Sequence, residues 1–358
     1  MNSNKKIKIG KKLIGQNKPV FIVAEISGNH NQDINRAFAI IDEAAKAGAD
    51  AVKLQTYTPD TITLNSNNDC FVIKNSNPAW NGKTLFELYG QAYTPWDWQP
   101  KLKDYAEKKG LICFSTPFDS TSVEFLEKMK IEVYKVASME VVDIPLLQKI
   151  GKTKKPVIMS RGMATISEIK LAIKTLRENG CPDVALLHCI SAYPTKPEDM
   201  NLATISDMIK RFKTVVGLSD HTLSTDTAVA AVALGASIVE KHLTLKRTDG
   251  GPDASFSLEP DEFKKMVEAI RMVEKALGNP SYQANKEAGE NILGRKSLFV
   301  TEDIKVGEKF TSKNIRSIRP GYGLEPKYYG RIIAKKASAN IKRGTPLAWK
   351  MIKKGRRV

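Results

Sequence analysis

No apolar run in this chain approaches the roughly 20 residues that a membrane-crossing helix needs, so a helical membrane protein is excluded. The first residues, MNSNKKIKIGKK, are basic and lack the apolar block of a signal peptide, so export is not expected. Cysteine is sparse. Cys70, Cys113, Cys181 and Cys189 form no CxxC pair, which removes the common zinc and redox motifs. Cys113 and Cys189 sit in apolar strand-like runs and read as reduced core thiols, as a cytoplasmic location would allow. Also missing is any recognised nucleic-acid-binding motif, although the net charge is +17. That excess is lopsided: residues 281–358 hold 19 Lys and Arg against 6 Asp and Glu, and the remainder is nearly balanced. Such a tail reads as a solvated terminus, and neither nucleic acid nor membrane is expected as a partner.

What is present is a core-forming chain with one dominant rhythm. With 42% hydrophobic content, 358 residues can bury one large core and a smaller second one. Short β-branched runs recur eight times: PVFIVAEIS, AVKLQTY, LICFSTP, VYKVAS, PVIMS, VALLHCI, TVVGLSD and SIVEKHL. Amphipathic stretches such as INRAFAIIDEAAKAGA and TISEIKLAIKTLREN separate most of them, and EPDEFKKMVEAIRMVEKALG follows the last, with acidic cap residues from Glu259 to Asp261. Eight strand-then-helix units predict a closed (β/α)8 barrel, a TIM barrel; an open doubly wound sheet is the alternative. The barrel is assigned residues 1–278, a polar linker 279–296 and a small domain 297–358.

Two features lie outside the rhythm. From Thr58 to about Trp98 the second unit carries a long insertion with Trp80 and the motif TPWDW, which reads either as a lid over the barrel mouth or as a surface or subunit contact. In the small domain, IKVGEKFTSKNI and IKRGTPLAWKMI share one frame, which predicts a compact pseudo-symmetric fold. Between them SIRPGYGLEPKYYG is rich in Gly and Pro, leaves little room for regular structure and exposes Arg319.

The stretch IVEKHLTL places Glu240, Lys241 and His242 where a buried strand would exclude them. Strand alternation puts Ile238, Glu240 and His242 on one face and Val239, Lys241 and Leu243 on the other. In VVGLSDHT, Ser219 and His221 share a parity at the neighbouring strand end, so His221 and His242 can meet across a barrel mouth and bind one divalent ion. Other strands carry similar groups. Glu25 ends FIVAE, Lys53 and Gln55 share a face, and Lys135 lies inside VYKVAS ahead of Ser138 and Glu140. Hydroxyls end several strands at Thr116, Ser138, Ser160, Ser191 and Ser219. Two lysines and a ring of hydroxyls suit a phosphate or carboxylate; Lys–Glu pairs that plug the barrel are the plainer reading of Lys53 and Glu25.

At these residues the chain resembles the sialic acid synthase family, and within it the pseudaminic acid synthase branch. AEISGNHNQD, GADAVKLQTY, FSTPFD, YKVAS, GLSDHT, EKHLTL and GGPDASFSLEP carry the likeness, in order, from about Lys18 to Leu347. The tail resembles the antifreeze-like (SAF, β-clip) domain of that family. The resemblance implies condensation of phosphoenolpyruvate with an open-chain amino-sugar aldehyde, release of phosphate, and a divalent metal: manganese, with magnesium or cobalt as alternatives. It implies His221 and His242 as metal ligands, and Lys53, Thr116, Lys135, Ser138, Ser160, Ser191 and Ser219 around phosphoenolpyruvate. Glu25, Gln55, Glu140, Tyr193 and Asp253 fall around the sugar and the reacting atoms. It further implies a homodimer in which the small domain covers the partner's barrel and brings Arg319 to the partner's sugar.

Departures refine the likeness. SGNHNQ and Ser191 stand where sialate-forming members show GVNHNG and an Asn, which points to the pseudaminic branch and to 2,4-diacetamido-2,4,6-trideoxy-L-altrose as the sugar. N-acetylneuraminate or legionaminate synthesis is the alternative. Arg161 stands where the family has Thr, and it either alters the phosphate contacts or points outward. Glu140, then Glu25, is the expected partner of the water that adds to carbon 2. Two other classes fit less of the sequence: a barrel aldolase with a Schiff base on Lys53 or Lys135, and a glycan- or nucleic-acid-binding module on a barrel scaffold.

Overall fold

The computed structural model describes residues 5–74, 80–283, 289 and 291–354. Its strands run in chain order as β1 (Lys6–Ile9), β2 (Lys12–Gly15), β3 (Phe21–Glu25), β4 (Ala51–Thr56), β5 (Ile112–Pro117), β6 (Tyr134–Val136), β7 (Val157–Ser160), β8 (Val184–Cys189), β9 (Val216–Asp220), β10 (Ile238–His242), β11 (Ser297–Val300) and β12 (Ile315–Ile318). The eight strands β3 to β10 are parallel, and β10 pairs with β3 in register from Ile238 opposite Phe21 to His242 opposite Glu25. That pairing closes the TIM barrel and removes the open-sheet alternative.

The strands are long apolar runs because a closed parallel sheet is buried on both faces. Phe21, Val23, Ala51, Phe114, Ile158, Ala185, Leu187 and Ile238 fill the interior, and Ile7, Ile9 and Ile14 join the same cluster. The hairpin β1–β2 therefore plugs the barrel with the apolar face of KIKI and KLIG, an element that the basic N-terminal composition concealed. Opposite residues face a helical shell. Its helices begin on side-chain caps: Asp33 before Ile34–Ala47, Thr165 with Glu168 before Ile166–Glu178, and Glu259 with Glu262 before Pro260–Leu277. Each such cap contributes about 1 kcal/mol and fixes where the βα loop ends. No helix among the described residues is long and apolar enough to cross a membrane.

Residues divide by contact into Met1–Gly278 and Asn279–Val358. The second unit packs Leu298, Val300, Phe310, Ile315, Ile332 and Leu347 around the antiparallel pair β11–β12. Its two repeats meet at an antiparallel bridge between Ile304 and Ile341. Gly307 and Gly344, at equivalent repeat positions, both hold φ +84°, a left-handed turn that favours glycine. The Gly/Pro-rich segment between the repeats is more ordered than its composition predicts, since it contains a 3₁₀ turn at Pro326–Tyr328 and the start of a short helix at Tyr329–Ile332. The stretch read as a linker lies partly outside the described residues; its described end forms a 3₁₀ turn at Asn291–Gly294.

Candidate active site at the C-terminal mouth of the barrel

Four charged side chains, each more than nine-tenths buried, converge near the C-terminal ends of β3, β4, β6 and β10. Lys53 Nζ lies 2.6 Å from Glu25 Oε2 and 3.2 Å from Glu240 Oε1. Lys135 Nζ lies 3.5 Å from the same Glu240 oxygen and donates to Ser160 Oγ at 2.8 Å. Ser219 Oγ also donates to Glu240 Oε1, at 3.0 Å. The Lys–Glu pairing anticipated as a plug is real, but it leaves valences open. Oε1 of Glu25, Oε2 of Glu240 and Oγ1 of Thr116 are buried without a hydrogen-bond partner, and Glu25 Oε2 meets only the Lys53 ammonium. Buried polar atoms are normally paired, so this cluster is shaped for something polar.

Electrostatics sharpen the picture. Burial opposes the charge on Glu240, but Lys135 and Lys53 outweigh it and hold the carboxyl at about 2. Burial pushes Lys53 down to about 8, against the pull of Glu240. Glu140, on the 3₁₀ turn after β6, is pushed up to about 7 by burial, and its Oε2 is likewise unpartnered. A carboxyl in that range exchanges protons near neutrality.

The hydroxyls gather beside the lysines. Ser138 Oγ and Ser191 Oγ are 2.9 Å apart. Gly162, at φ +45°, packs so closely that an added Cβ would lie 2.2 Å from Ser138 Cβ and 2.9 Å from both Ser138 Oγ and Ser191 Oγ. Arg161 takes the outward course: Nη2 is 2.9 Å from His188 Nδ1, and Nη1 donates to Gly162 O. His188 alternates with the interior Leu187 and turns its other nitrogen to Met200 O at 2.5 Å, so Arg161 braces the shell side.

His221, just past β9, and His242, at the end of β10, bring their ring centroids to 5.4 Å. His221 Nδ1 lies 3.0 Å from Ile190 O and 4.0 Å from Cys189 Sγ, so Cys189 supports this ring as well as packing the core. Donation from Nδ1 to that carbonyl leaves Nε2 free to bind a cation. His242 Nδ1 is buried with no partner, and burial, then the charges of His221 and Lys53, hold its pKa well below the ordinary value. A neutral imidazole with an orphaned nitrogen beside a second imidazole fits a divalent ion. Among the described residues no group of three or more His, Cys, Asp or Glu side chains is arranged around a metal position.

An aromatic wall covers this pair. Tyr193 lies 4.4 Å from the His221 ring and 5.1 Å from Phe256, which lies 5.0 Å from His242. Trp80 reaches Tyr193 at 5.5 Å and donates its indole N–H to Pro252 O at 2.8 Å. The insertion therefore spans from the β4 loop to the β10 loop, with Trp80 at the wall. Trp96 and Trp98 instead pack its far end, against Phe125 and His30. Asp253 Oδ2 accepts from Ser27 Oγ at 2.5 Å and from Gly28 N at 3.0 Å, and Gln55 Nε2 donates to the same Ser27 hydroxyl at 2.9 Å. Arg319, just past β12 in the second unit, is exposed.

Sequence reasoning marked Glu240 as out of place but gave it no role, and it missed Phe256. The parity of Glu240 with His242 placed it on the interior face, and two buried lysines require more than one carboxylate. Phe256 lies in a loop with no periodic signal.

Residues 40–282 match the NeuB family, and residues 295–353 match the SAF domain. The chain is 44% identical to a pseudaminic acid synthase of Campylobacter jejuni over 92% of this chain and 96% of that protein. It is 43% identical to a pseudaminic acid synthase of Helicobacter pylori over 92% and 97%. The crystal structure of an N-acetylneuraminic acid synthetase from Leptospira borgpetersenii, in complex with citrate, superposes with a TM-score of 0.72 at 34% identity, covering 80% of this chain and 95% of that one.

Proposed function

This chain belongs to the NeuB family of phosphoenolpyruvate-dependent nonulosonate synthases, and from that premise we propose that it makes pseudaminic acid from phosphoenolpyruvate and 2,4-diacetamido-2,4,6-trideoxy-L-altrose. Similarity to two pseudaminic acid synthases supports the choice of sugar. The observation that carries the reaction class is the buried cluster of two lysines and unpartnered oxygens beside a pair of imidazoles.

Lys53 and Lys135 neutralise the phosphate and carboxylate of phosphoenolpyruvate, and Thr116, Ser138, Ser160, Ser191 and Ser219 orient them by hydrogen bonds. Carbon 3 of phosphoenolpyruvate bonds to the aldehyde carbon, water adds to carbon 2, and the carbon 2–oxygen bond to phosphate breaks. His221 and His242 would hold a divalent ion, manganese for preference, which would supply a Lewis acid for the aldehyde oxygen. Glu140 accepts the proton of the added water, since its carboxyl titrates near neutrality. Glu25 lies next to Lys53 as the second carboxylate at the reacting atoms. Gln55, Tyr193 and Asp253 line the sugar side, where Trp80 and Phe256 supply an apolar wall for the carbon 6 methyl group. Two chains form a dimer in the cytoplasm, and Arg319 of each small domain binds the sugar in the other's barrel.

Phosphate release from phosphoenolpyruvate, with a panel of amino-sugar aldehydes and manganese, tests the reaction class. Release should require both the aldehyde and the metal. Release without any aldehyde, or a borohydride-trapped adduct on Lys53 or Lys135, would remove this reading.

A further inference from the structure

Lys241 interrupts an otherwise apolar outer strand face, and no step proposed above uses it. Its register partner on β9 is Asp220, as Val239 is opposite Leu218 two residues earlier. Both charges are essentially sealed: Lys241 is 0% and Asp220 1% exposed, with Nζ 2.8 Å from Oδ2. A buried ion pair seldom adds net stability, because desolvation offsets the attraction, and apolar replacements are often as stable. Stability alone is therefore a weak reason for this pair, and its contacts suggest another.

Each partner is the chain neighbour of one histidine, and between them they grip the backbone around His221. Asp220 Oδ1 accepts from Thr222 N at 2.9 Å, closing a turn about His221, and Asp220 Oδ2 accepts from Thr227 Oγ1 at 2.7 Å, at the start of the helix Asp226–Ala233. Lys241 Nζ donates to the carbonyl of Thr222, and also reaches Thr222 Oγ1 at 3.3 Å and Ser224 O at 3.1 Å. The residue after His221 is thus held at its N–H by Asp220 and at its carbonyl by Lys241. Lys241 belongs to the strand that carries His242, so the loop of one histidine is fastened to the strand of the other. On the inner side, among the described residues, His221 meets Ile190 O, Cys189, the His242 ring and the aromatic wall, with Thr195 N on its carbonyl.

We propose that the Asp220–Lys241 pair is a clamp behind the site that sets the separation and aim of His221 and His242, so that both are positioning residues for divalent-cation binding. The proposal rests on the metal reading of the histidine pair. Two ligands, one on a loop and one on a strand, bind one ion well only if their spacing is fixed in advance, and supporting contacts of this kind typically change affinity by about 10–100-fold.

The test uses the full-length chain, stripped with a chelator and titrated with manganese by calorimetry and with cobalt by visible absorption. The double variant Asp220→Asn/Lys241→Met removes both charges together, so no lone buried charge remains. It should bind manganese at least about 10-fold more weakly than the wild type and shift the cobalt spectrum. Ile270→Val, in the shell helix Pro260–Leu277, serves as a control: it should lower the melting temperature and leave both metal readouts unchanged. Should the double variant fail to fold, Thr227→Val keeps the ion pair but frees Asp220 from the helix, and weaker manganese binding than the wild type is again expected. Wild-type affinity and an unaltered cobalt spectrum in either folded variant would overturn the clamp alone. A wild type that takes up neither ion would overturn the histidine-pair reading and the clamp with it.

Discussion

Ser138 and Ser191, on the loops after β6 and β8, hold their hydroxyls 2.9 Å apart directly above Gly162. That contact exists because residue 162 has no Cβ. Gly162→Ala would force a left-handed backbone on alanine and drive its methyl group into Ser138, at a cost of about 1–3 kcal/mol. The expected outcome is a folded enzyme whose KM for phosphoenolpyruvate rises by about 10-fold or more, with less effect on the KM for the sugar. Steady-state kinetics on both substrates, with a thermal melt, check it; an unchanged phosphoenolpyruvate KM would remove the serine pair from the anion pocket.

The pH profile has two limbs of opposite cause. Glu140 must lose its proton to act as base, so activity should rise as pH climbs through about 7. Lys53 must keep its proton to hold an anion, so activity should fall above about 8. Glu140→Gln should lower kcat and flatten the acid limb while leaving the alkaline limb in place. Its effect on stability has the opposite sign to its effect on activity. Between 4.5 and about 7 the folded chain keeps a proton that the unfolded chain has lost, so stability falls as pH rises through that window. At pH 8 Glu140→Gln should therefore be more stable than the wild type by up to roughly 3 kcal/mol, measurable by denaturant unfolding at pH 5 and 8.

The barrel was legible because eight runs such as FIVAE and VALLHC repeat at helix-separated intervals, and burial on both faces makes such runs apolar throughout. His221, His242, Lys53 and Lys135 were legible for the opposite reason: each is a polar group in a strand that should exclude it. Less legible were relations that depend on closure. Glu240 faces two lysines only because β10 closes against β3 and brings it beside β4, and Phe256 reaches His242 through a loop without periodicity. The hairpin β1–β2 was hidden because lysines alternate with the isoleucines that plug the barrel. Of the insertion's three tryptophans, Trp80, Trp96 and Trp98, sequence could not say which one faces the mouth, since all three lie in or beside irregular segments.

Removing either lysine leaves Glu240 short of a cation in a desolvated cluster. Lys53→Met or Lys135→Met should cost about 2 kcal/mol or more in kcat/KM for phosphoenolpyruvate. The two should differ in stability. Lys53→Met strips Glu25 and one side of Glu240, whereas Lys135→Met leaves Lys53 on Glu240, so Lys53→Met should have the lower melting temperature. Equal melting temperatures together with normal phosphoenolpyruvate kinetics would make the lysines plugs of the barrel.

Trp80 closes the aromatic wall over Tyr193 and Phe256 and is tied to Pro252, next to Asp253. Trp80→Ala should raise the KM for the amino sugar by about 10-fold or more, as expected when a large apolar contact is removed. The KM for phosphoenolpyruvate should change far less. Trp96→Ala, which opens a packing contact away from the wall, should lower the melting temperature with little effect on sugar selectivity. If Trp96→Ala alters selectivity as much as Trp80→Ala does, the wall assignment fails.

The most direct measurement is a competition. The enzyme is given phosphoenolpyruvate, manganese, and equal concentrations of 2,4-diacetamido-2,4,6-trideoxy-L-altrose and N-acetylmannosamine, and both product masses are followed in one mixture. A site that pairs with two acetamido groups leaves polar partners unsatisfied when one is missing, whereas a wall that encloses a methyl group tolerates a hydroxyl more readily. The account predicts that the diacetamido product forms at least about 10-fold faster. Comparable rates for the two products, or faster formation of N-acetylneuraminate, would contradict it.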